Sequence, residues 1–300
     1  MEPTLELRDI SKRYGGFTAV SGLTLAAPPG RIFGLLGPNG AGKTTTIRMI
    51  MDIIAPDSGE IRFFGRPRRR GDLERVGYLP EERGLYRKMG VLEHLVFLGQ
   101  LHGLRGAEAR ARGERWLERL GLAEWAGKKV EELSKGMQQK IQLAGTVIHE
   151  PEIIILDEPF SGLDPINQGL FKEALDEFKR NGKTILFSTH ILEQAEKLCD
   201  LICLISRGRA VLAGELAALK RRFGGNSYRL VAAGPMERLR EVPGIREAIV
   251  QDGAARLLLD DGADGPSVLR HLVGFLSIAE FRSEEPDLEA IFLQALRDEG

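Results

Sequence analysis

The sequence predicts an α/β protein built around a mainly parallel sheet and followed by a smaller α+β domain. Two largely apolar runs, at residues 153–156 and 184–187, have the composition of buried strands, and a stretch of helical character separates them. In the last quarter of the chain the composition shifts, and short strand-like segments are interleaved with helical stretches. The 300 residues suffice for two domains, which we place at 1–223 and 224–300.

The first domain changes character along its length. Residues 5–64 alternate short apolar runs with Gly and Pro, which is typical of strands and turns. From 89 to 133, by contrast, Leu92, Leu95 and Val96 begin a helical spacing among many charges, which predicts a helical insertion. Beyond residue 224 we expect short strands at 228–231, 248–250 and 256–259.

The composition is that of an ordinary globular protein, with 43% hydrophobic and 28% charged residues. No apolar run approaches the roughly 20 residues that cross a bilayer, and the N-terminus has no basic and apolar segment typical of a secretory signal. We therefore expect a cytoplasmic protein. The two cysteines, Cys199 and Cys203, lie in an apolar segment without further metal ligands nearby, so they are predicted to pack in the core.

The charge is distributed unevenly, although the net charge is only −1. From Gly225 onward the chain has 8 Arg, no Lys and 14 Asp and Glu, which gives this segment a net charge of −6. Acidic segments repel phosphate backbones. The distribution therefore argues against a nucleic acid as a partner.

A glycine-rich loop between a strand and a helix carries the strongest chemical signal. It fits the pattern G-x-x-x-x-G-K-[ST] and consists of Gly37, Pro38, Asn39, Gly40, Ala41, Gly42, Lys43 and Thr44. Glycines let the backbone approach a polyphosphate, and the N–H groups at a helix N-terminus attract its negative charge. Lys43 is predicted to contact the β and γ phosphates of ATP, Thr44 to bind Mg²⁺ through its hydroxyl, and Thr45 to line the same site.

Two adjacent carboxylates, Asp157 and Glu158, follow the aliphatic run at 153–156. The carboxyl ends of parallel strands form the ligand sites of open α/β sheets. Because a buried, unpaired carboxylate is costly, a bound cation is the natural partner for this pair. We predict that Asp157 binds Mg²⁺, directly or through water, and that Glu158 polarises the water that attacks the γ phosphate.

Further segments resemble the ATPase subunits of ABC transporters. The sequence LSKGM at 133–137 resembles their signature motif, which reads LSGGQ in most members, and it precedes the acidic strand as it does there. The sequence SGLD at 161–164 is similar to their D-loop, and STH at 188–190 is similar to their switch-histidine segment. Tyr14 resembles the aromatic residue that stacks on adenine. The resemblance covers residues 4–223.

This resemblance implies a P-loop NTPase fold of the ABC cassette type. Such a cassette has a RecA-like core, an antiparallel β subdomain and a helical subdomain, which we place at about 89–133. It also implies that Tyr14 stacks on the adenine of ATP and that His190 hydrogen-bonds the γ phosphate. Together with Glu158 and Lys43, His190 completes the predicted catalytic set.

The resemblance further implies that two cassettes close head to tail around two ATP molecules. In such a homo- or heterodimer, Ser134 and Gly136 of one chain would contact the γ phosphate bound by the other chain. Asp164 would lie beside the nucleotide at the same interface. Both Ser134 and Gly136 are retained here, although Lys135 and Met137 replace the usual glycine and glutamine.

A second departure concerns the loop that normally supplies a glutamine to Mg²⁺. Here the loop reads YLPEERGLY, and Glu81 takes the position of the glutamine, so Glu81 is predicted to bind Mg²⁺. That loop, together with EEPDLEAIF at 284–292, is similar to exporter-type cassettes that include sodium-extrusion and drug-resistance ATPases.

These resemblances lead to one main functional prediction and two alternatives. The main prediction is an ATPase subunit that drives the membrane-spanning permease of an exporter. This subunit is expected to contact the membrane only through the permease. One alternative is a soluble ABC ATPase that acts on ribosomes or another macromolecular machine; the chain has neither the second phosphate loop nor the coiled coil typical of such proteins. The other is an ATP-gated regulator without turnover.

Overall fold

The computed structural model describes residues 2–81, 84–224, 226–251, 253–260, 262–284 and 286–298. These residues form two compact units, Met1–Ala213 and Gly214–Gly300. The division comes ten residues before the boundary expected from composition. The helix Leu216–Gly224 accounts for the difference, because it packs against the last helix of the C-terminal unit. Residues 82 and 83 of the YLPEERGLY loop and residue 285 of the C-terminal motif lie outside the described part of the chain.

The first unit contains strands β1–β10, of which β10 ends at the start of the second unit. The strands are β1 (Leu5–Tyr14), β2 (Phe17–Ala27), β3 (Ile32–Leu36), β4 (Ser58–Phe63), β5 (Arg66–Pro67), β6 (Val76–Leu79), β7 (Ile153–Asp157), β8 (Thr184–Thr189), β9 (Leu201–Ser206) and β10 (Arg209–Glu215). The helices of this unit are α1 (Lys43–Ile50), α2 (Val91–Leu101), α3 (Gly106–Arg119), α4 (Lys135–Val147), α5 (Pro165–Arg180) and α6 (Leu192–Leu198).

Two sheets share the core of this unit. The larger has the strand order β10-β9-β3-β8-β7-β6, and every pair from β9 to β6 in that order is parallel. All residues of β3, β7 and β8 are buried, which explains their high content of apolar residues. The smaller sheet, β2-β1-β4-β5, is antiparallel. The α/β class predicted from the sequence is therefore confirmed.

Helices α2 and α3 and two short 3₁₀ turns occupy the segment in which helical spacing was recognised. They pack on one another and on α4 around a separate apolar cluster that includes Val91, Leu95 and Ile141. Cys199 and Cys203 are buried and unbridged, and burial raises the pKa of the Cys203 thiol to about 12, so both behave as core residues.

A buried histidine in α2 predicts a pH-dependent stability. Burial lowers the pKa of His94 to about 4, and neither ring nitrogen has a hydrogen-bond partner among the described residues. The folded state therefore favours the neutral ring, whereas the unfolded chain protonates near pH 6.5. The free energy of unfolding should decrease as the pH falls from about 6.5 towards 4, by roughly 1.4 kcal/mol for each unit of the shift in pKa.

The substitution His94→Leu should flatten this dependence, because it removes the titrating group and keeps an apolar side chain at the position. Thermal melts between pH 7.5 and 4.5 would measure the effect. His271→Leu is the matched control, since His271 lies on the surface of the C-terminal unit. Equal pH slopes for the wild type and His94→Leu would contradict the prediction.

The C-terminal unit is an α+β domain built on an antiparallel sheet. Its helices are α7 (Leu216–Gly224), α8 (Gly265–Leu272) and α9 (Leu288–Asp298), and its strands are β11 (Asn226–Ala233), β12 (Ile245–Gln251), β13 (Ala254–Leu259) and β14 (Ser277–Ser283). The strand order is β12-β13-β11-β14. One face of the sheet packs on α8 residues such as Val268 and Leu272. No helix in the described residues of either unit is long and apolar enough to cross a membrane.

Candidate functional site

The glycine-rich loop lies between β3 and α1, where the sequence predicted it. Gly37, Gly40 and Gly42 have φ angles of 151°, 77° and 110°, which side chains other than hydrogen tolerate poorly. A Cβ on Gly37 would lie 2.2 Å from the carbonyl oxygen of Ile205, so this glycine is also required for close packing. The loop backbone therefore curves around a space at the N-terminus of α1, which favours anions.

Lys43 is the first residue of α1, and its side chain turns back over this loop. Its Nζ donates hydrogen bonds to the carbonyl oxygens of Gly37 (2.8 Å) and Pro38 (3.2 Å). The same Nζ lies 3.3 Å from Oε1 of Glu158, and both side chains are less than 10% exposed. The structure thus brings the predicted phosphate-binding lysine and the predicted catalytic carboxylate into direct contact.

Asp157 ends β7, and Glu158 follows it with a φ angle of 50°. This left-handed conformation is uncommon for a residue with a side chain and directs Glu158 differently from a continued strand. Oε2 of Glu158 lies 3.1 Å from Nδ1 of His190, the residue immediately after β8. Lys43, Glu158 and His190, predicted together as catalytic residues, therefore form one contact chain.

The surroundings of Asp157 fit a hard cation. Burial raises the pKa of its carboxyl group and nearby Glu158 adds to the rise, whereas hydrogen bonds from Ser188 and Thr44 oppose it. Oδ1 accepts the Ser188 hydroxyl at 2.5 Å and the Thr44 hydroxyl at 3.4 Å. Oδ2 is buried and has no hydrogen-bond partner among the described residues. A carboxylate oxygen and a hydroxyl are suitable Mg²⁺ ligands in this place.

A cavity of about 460 Å³ joins most of these groups. Its lining residues are Tyr14, Phe17, Ala19, Asn39, Gly40, Gly42, Lys43, Thr44, Thr45, Glu81 and Glu158. Tyr14 and Phe17 face each other across the turn between β1 and β2 and are 47% and 61% exposed. Phe17 was not recognised from the sequence, although its exposed ring next to Tyr14 offers a second surface for a base.

A second cavity, of about 410 Å³, adjoins the same carboxylates. It is lined by Leu79, Pro80, Glu81, Gln139, Gln142, Asp157, Glu158, Ser161 and Gly162. Glu81 and Glu158 line both cavities. Glu81 therefore lies near Glu158, and its role as a Mg²⁺ ligand stays a prediction.

The residues of the signature and D-loop segments lie next to one another. Ser134 caps the N-terminus of α4 by accepting the N–H of Met137. Asp164 caps α5 and accepts hydrogen bonds from Asn167, whose side chain lies next to Gly136. None of Ser134, Gly136 and Asp164 lines either cavity.

Two family models match separate parts of the chain. Residues 20–161 match the model described as ABC transporter, and residues 214–296 match the C-terminal domain of ATP-binding proteins like DrrA1-3. The first range includes the glycine-rich loop, Asp157 at the end of β7 and Glu158 after it. The second covers nearly all of the C-terminal unit.

Similar proteins match most of the chain. The uncharacterized ABC transporter ATP-binding protein YhaQ of Bacillus subtilis is 42% identical, with 97% of each chain covered. The linearmycin resistance ATP-binding protein LnrL of Bacillus subtilis is 32% identical over 98% of this chain and 100% of its own length. The Nod factor export ATP-binding protein I of Paraburkholderia xenovorans is 42% identical over 73% of each chain.

Solved structures also resemble this fold. One described as the ATP binding subunit of an ABC transporter is 34% identical and has a TM-score of 0.67. The match covers 74% of this chain and 93% of that one. The chain is thus similar to ATP-binding subunits in sequence as well as in fold.

Proposed function

Because this chain belongs to the ATP-binding proteins of ABC transporters, we propose that it hydrolyses ATP to drive an exporter-type permease, with Glu158 as the general base. ATP binding and hydrolysis are the activities of the family. One observation carries the assignment of residues: the glycine-rich loop, Lys43 and Glu158 line the same cavity, and Asp157 accepts a hydrogen bond from Thr44 in that lining. That arrangement supplies a phosphate site and a water-activating carboxylate within a few ångströms.

Mg²⁺ is the proposed metal, held by Thr44 and Asp157 with Glu81 as a further ligand. The support is the donor set of hydroxyl and carboxylate oxygens and the buried, unpartnered Oδ2 of Asp157. When bound, such an ion supplies positive charge to the β and γ phosphates of ATP. Glu81 supports this assignment by lining the cavities on both sides of Glu158.

Other residues of the site are proposed to bind the phosphates, stack on the base and transfer the proton. The loop N–H groups and Lys43 bind the phosphates, and Tyr14, with Phe17 across the hairpin, offers a stacking surface for adenine. Glu158 accepts the proton of the attacking water. Nδ1 of His190 contacts Glu158, so His190 is proposed to orient the carboxylate and to hydrogen-bond the γ phosphate.

Complete sites are proposed to form between two copies or two related chains. Ser134, Gly136 and Asp164 lie at adjoining helix N-termini and are not among the residues that line the cavity at the phosphate loop. Helix N-termini bind anions. We therefore assign Ser134 and Gly136 to the γ phosphate held by the partner cassette, with Asp164 beside it.

His190→Ala should lower the rate of ATP hydrolysis without abolishing ATP binding. The contact between the imidazole and Oε2 of Glu158 would be lost, so the carboxylate would be less well oriented. A positioned acid–base group contributes about 10²- to 10⁴-fold to a rate, and an orienting partner should account for the lower part of that range. Phosphate release gives the rate, and fluorescent ATP binding gives the affinity.

His271→Ala serves as the control for His190→Ala. His271 lies in the C-terminal unit, where its Nδ1 is 3.0 Å from the carbonyl oxygen of Ser267 in the same helix. This variant should hydrolyse ATP like the wild type. A wild-type rate of hydrolysis for His190→Ala would show that His190 has no role in the reaction.

The proposed partner is a membrane-spanning permease, which would place the chain at the cytoplasmic face of the membrane. The support is the family itself, together with relatives named for Nod factor export and linearmycin resistance. The acidic C-terminal segment gives no support for a nucleic acid partner.

Isolation of the tagged chain from membranes tests this proposal. A multispanning protein should co-purify, and mass spectrometry should identify it in the wild type and in a hydrolysis-deficient Glu158→Gln variant alike. Co-purification with ribosomes instead would favour the alternative of a soluble ATPase acting on a macromolecular machine.

A further inference from the structure

The hydroxyl of Ser188 joins the two carboxylates of the site. Ser188 lies near the end of β8 and is fully buried, and it is the register partner of Asp157 on β7. Its O–H donates to Oδ1 of Asp157 at 2.5 Å. Its oxygen also accepts the backbone N–H of Glu158 at 3.0 Å. One side chain thus contacts both residues from the neighbouring strand.

These two bonds have different consequences. The bond to Oδ1 fixes the plane of the Asp157 carboxylate and leaves Oδ2 as the oxygen without a protein partner. The hydrogen bond from the Glu158 N–H fixes the backbone of Glu158, whose φ angle is 50°. Such a conformation costs roughly 1–3 kcal/mol and persists only where its surroundings impose it. Ser188 is one of the groups that impose it.

We propose that Ser188 is a positioning residue for ATP hydrolysis, whose hydroxyl sets the direction of both Asp157 and Glu158. This inference rests on the proposed function, because it concerns the same two carboxylates. Ser188 itself touches neither cavity of the site. Its effect on the reaction must therefore pass through Asp157, the last residue of β7, and through Glu158, which follows it.

Ser188→Ala tests the proposal, because it removes the hydroxyl and leaves a smaller side chain that the core can accommodate. The turnover number for ATP should fall tenfold or more, whereas the affinity for a fluorescent ATP analogue should stay within about threefold of the wild type. Ser188→Thr keeps the hydroxyl and should recover most of the turnover. The melting temperature of each variant shows whether it is folded.

Thr184→Val is the matched control at the other end of the same strand. The Thr184 hydroxyl is also buried, and it bonds with Thr4 and with the N–H of Gly30 rather than with the site. Its loss should affect stability but leave the turnover number unchanged. A comparable fall in turnover for Thr184→Val would show that any buried hydroxyl of β8 has this effect, and would overturn the proposal.

Two further results separate this inference from the function on which it rests. Wild-type turnover in folded Ser188→Ala, with the unchanged protein active, would overturn the positioning role alone. Absence of ATP hydrolysis in the unchanged protein would overturn the proposed function and this role together. A fall in ATP affinity that matches the fall in turnover would also contradict the proposal, since it predicts an effect on the chemical step.

Discussion

Glu158→Gln should bind ATP nearly as well as the wild type and hydrolyse it 10²- to 10⁴-fold more slowly, the range that a positioned general base contributes. Glutamine keeps the size and hydrogen-bonding reach of the side chain but cannot accept a proton from water. Since only the transition state requires that proton transfer, the loss should appear in the turnover number rather than in binding. Phosphate release and equilibrium ATP binding measure the two quantities.

Glu150→Gln provides the control for this substitution. Glu150 also has a left-handed backbone, with a φ angle of 58°, but its side chain is 69% exposed and pairs with Arg112 away from the phosphate loop. The same chemical change in the same backbone conformation should leave hydrolysis unchanged there. Near wild-type turnover in Glu158→Gln would assign the general base to another group.

Among the predicted site residues, those that the structure places closest together are the ones whose positions depend on local geometry. The glycines and Lys43 lie within one turn between a strand and a helix, so their spacing along the chain determines their spacing in the structure. Asp157 and Glu158 follow an aliphatic run long enough to be identified as a buried strand. In both cases, neighbouring residues in sequence remain neighbours in the site.

The contacts of Ser188 and Phe17 in the site were not predicted, because they depend on pairing between strands. Ser188 approaches Asp157 through the register of β8 on β7, which no short pattern specifies. Phe17 faces Tyr14 across a hairpin turn, and the exposed ring resembles any surface aromatic residue in the sequence alone. The spacing of two residues around Gly15-Gly16 was the available signal, since such turns place their flanking residues opposite one another.

The C-terminal unit shows a similar dependence on pairing. Strand β14 has the sequence SIAEFRS, which combines polar and apolar residues without a clear strand composition. It forms a strand because it pairs with β11 in an antiparallel register. Helix α7 likewise belongs with this unit because of its packing on α9, although composition placed it before the boundary. Both features depend on contacts between distant residues.

Lys43→Met should weaken ATP binding about 10- to 150-fold, which corresponds to the loss of roughly 1.5–3 kcal/mol for a charge-assisted hydrogen bond. Methionine keeps the length of the stem but cannot donate to a phosphate. Hydrolysis should fall further, because the lysine also neutralises charge as the γ phosphate leaves. Lys197→Met is the control, since the Lys197 side chain is exposed and its hydrogen bond is to Glu193 in the same helix.

The double variant Lys43→Met with Glu158→Gln separates the two contributions of the lysine. In Lys43→Met, Glu158 keeps a buried carboxylate whose nearest cation has been removed, and such broken pairs cost about 3–5 kcal/mol. Glutamine at 158 removes that charge, so the double variant should melt at a higher temperature than Lys43→Met alone. ATP affinity should remain low in both, because phosphate binding depends on the ammonium group. Equal melting temperatures would show that the ion pair adds no stability, whereas recovery of ATP affinity would show that Lys43 acts through Glu158 instead of the phosphates.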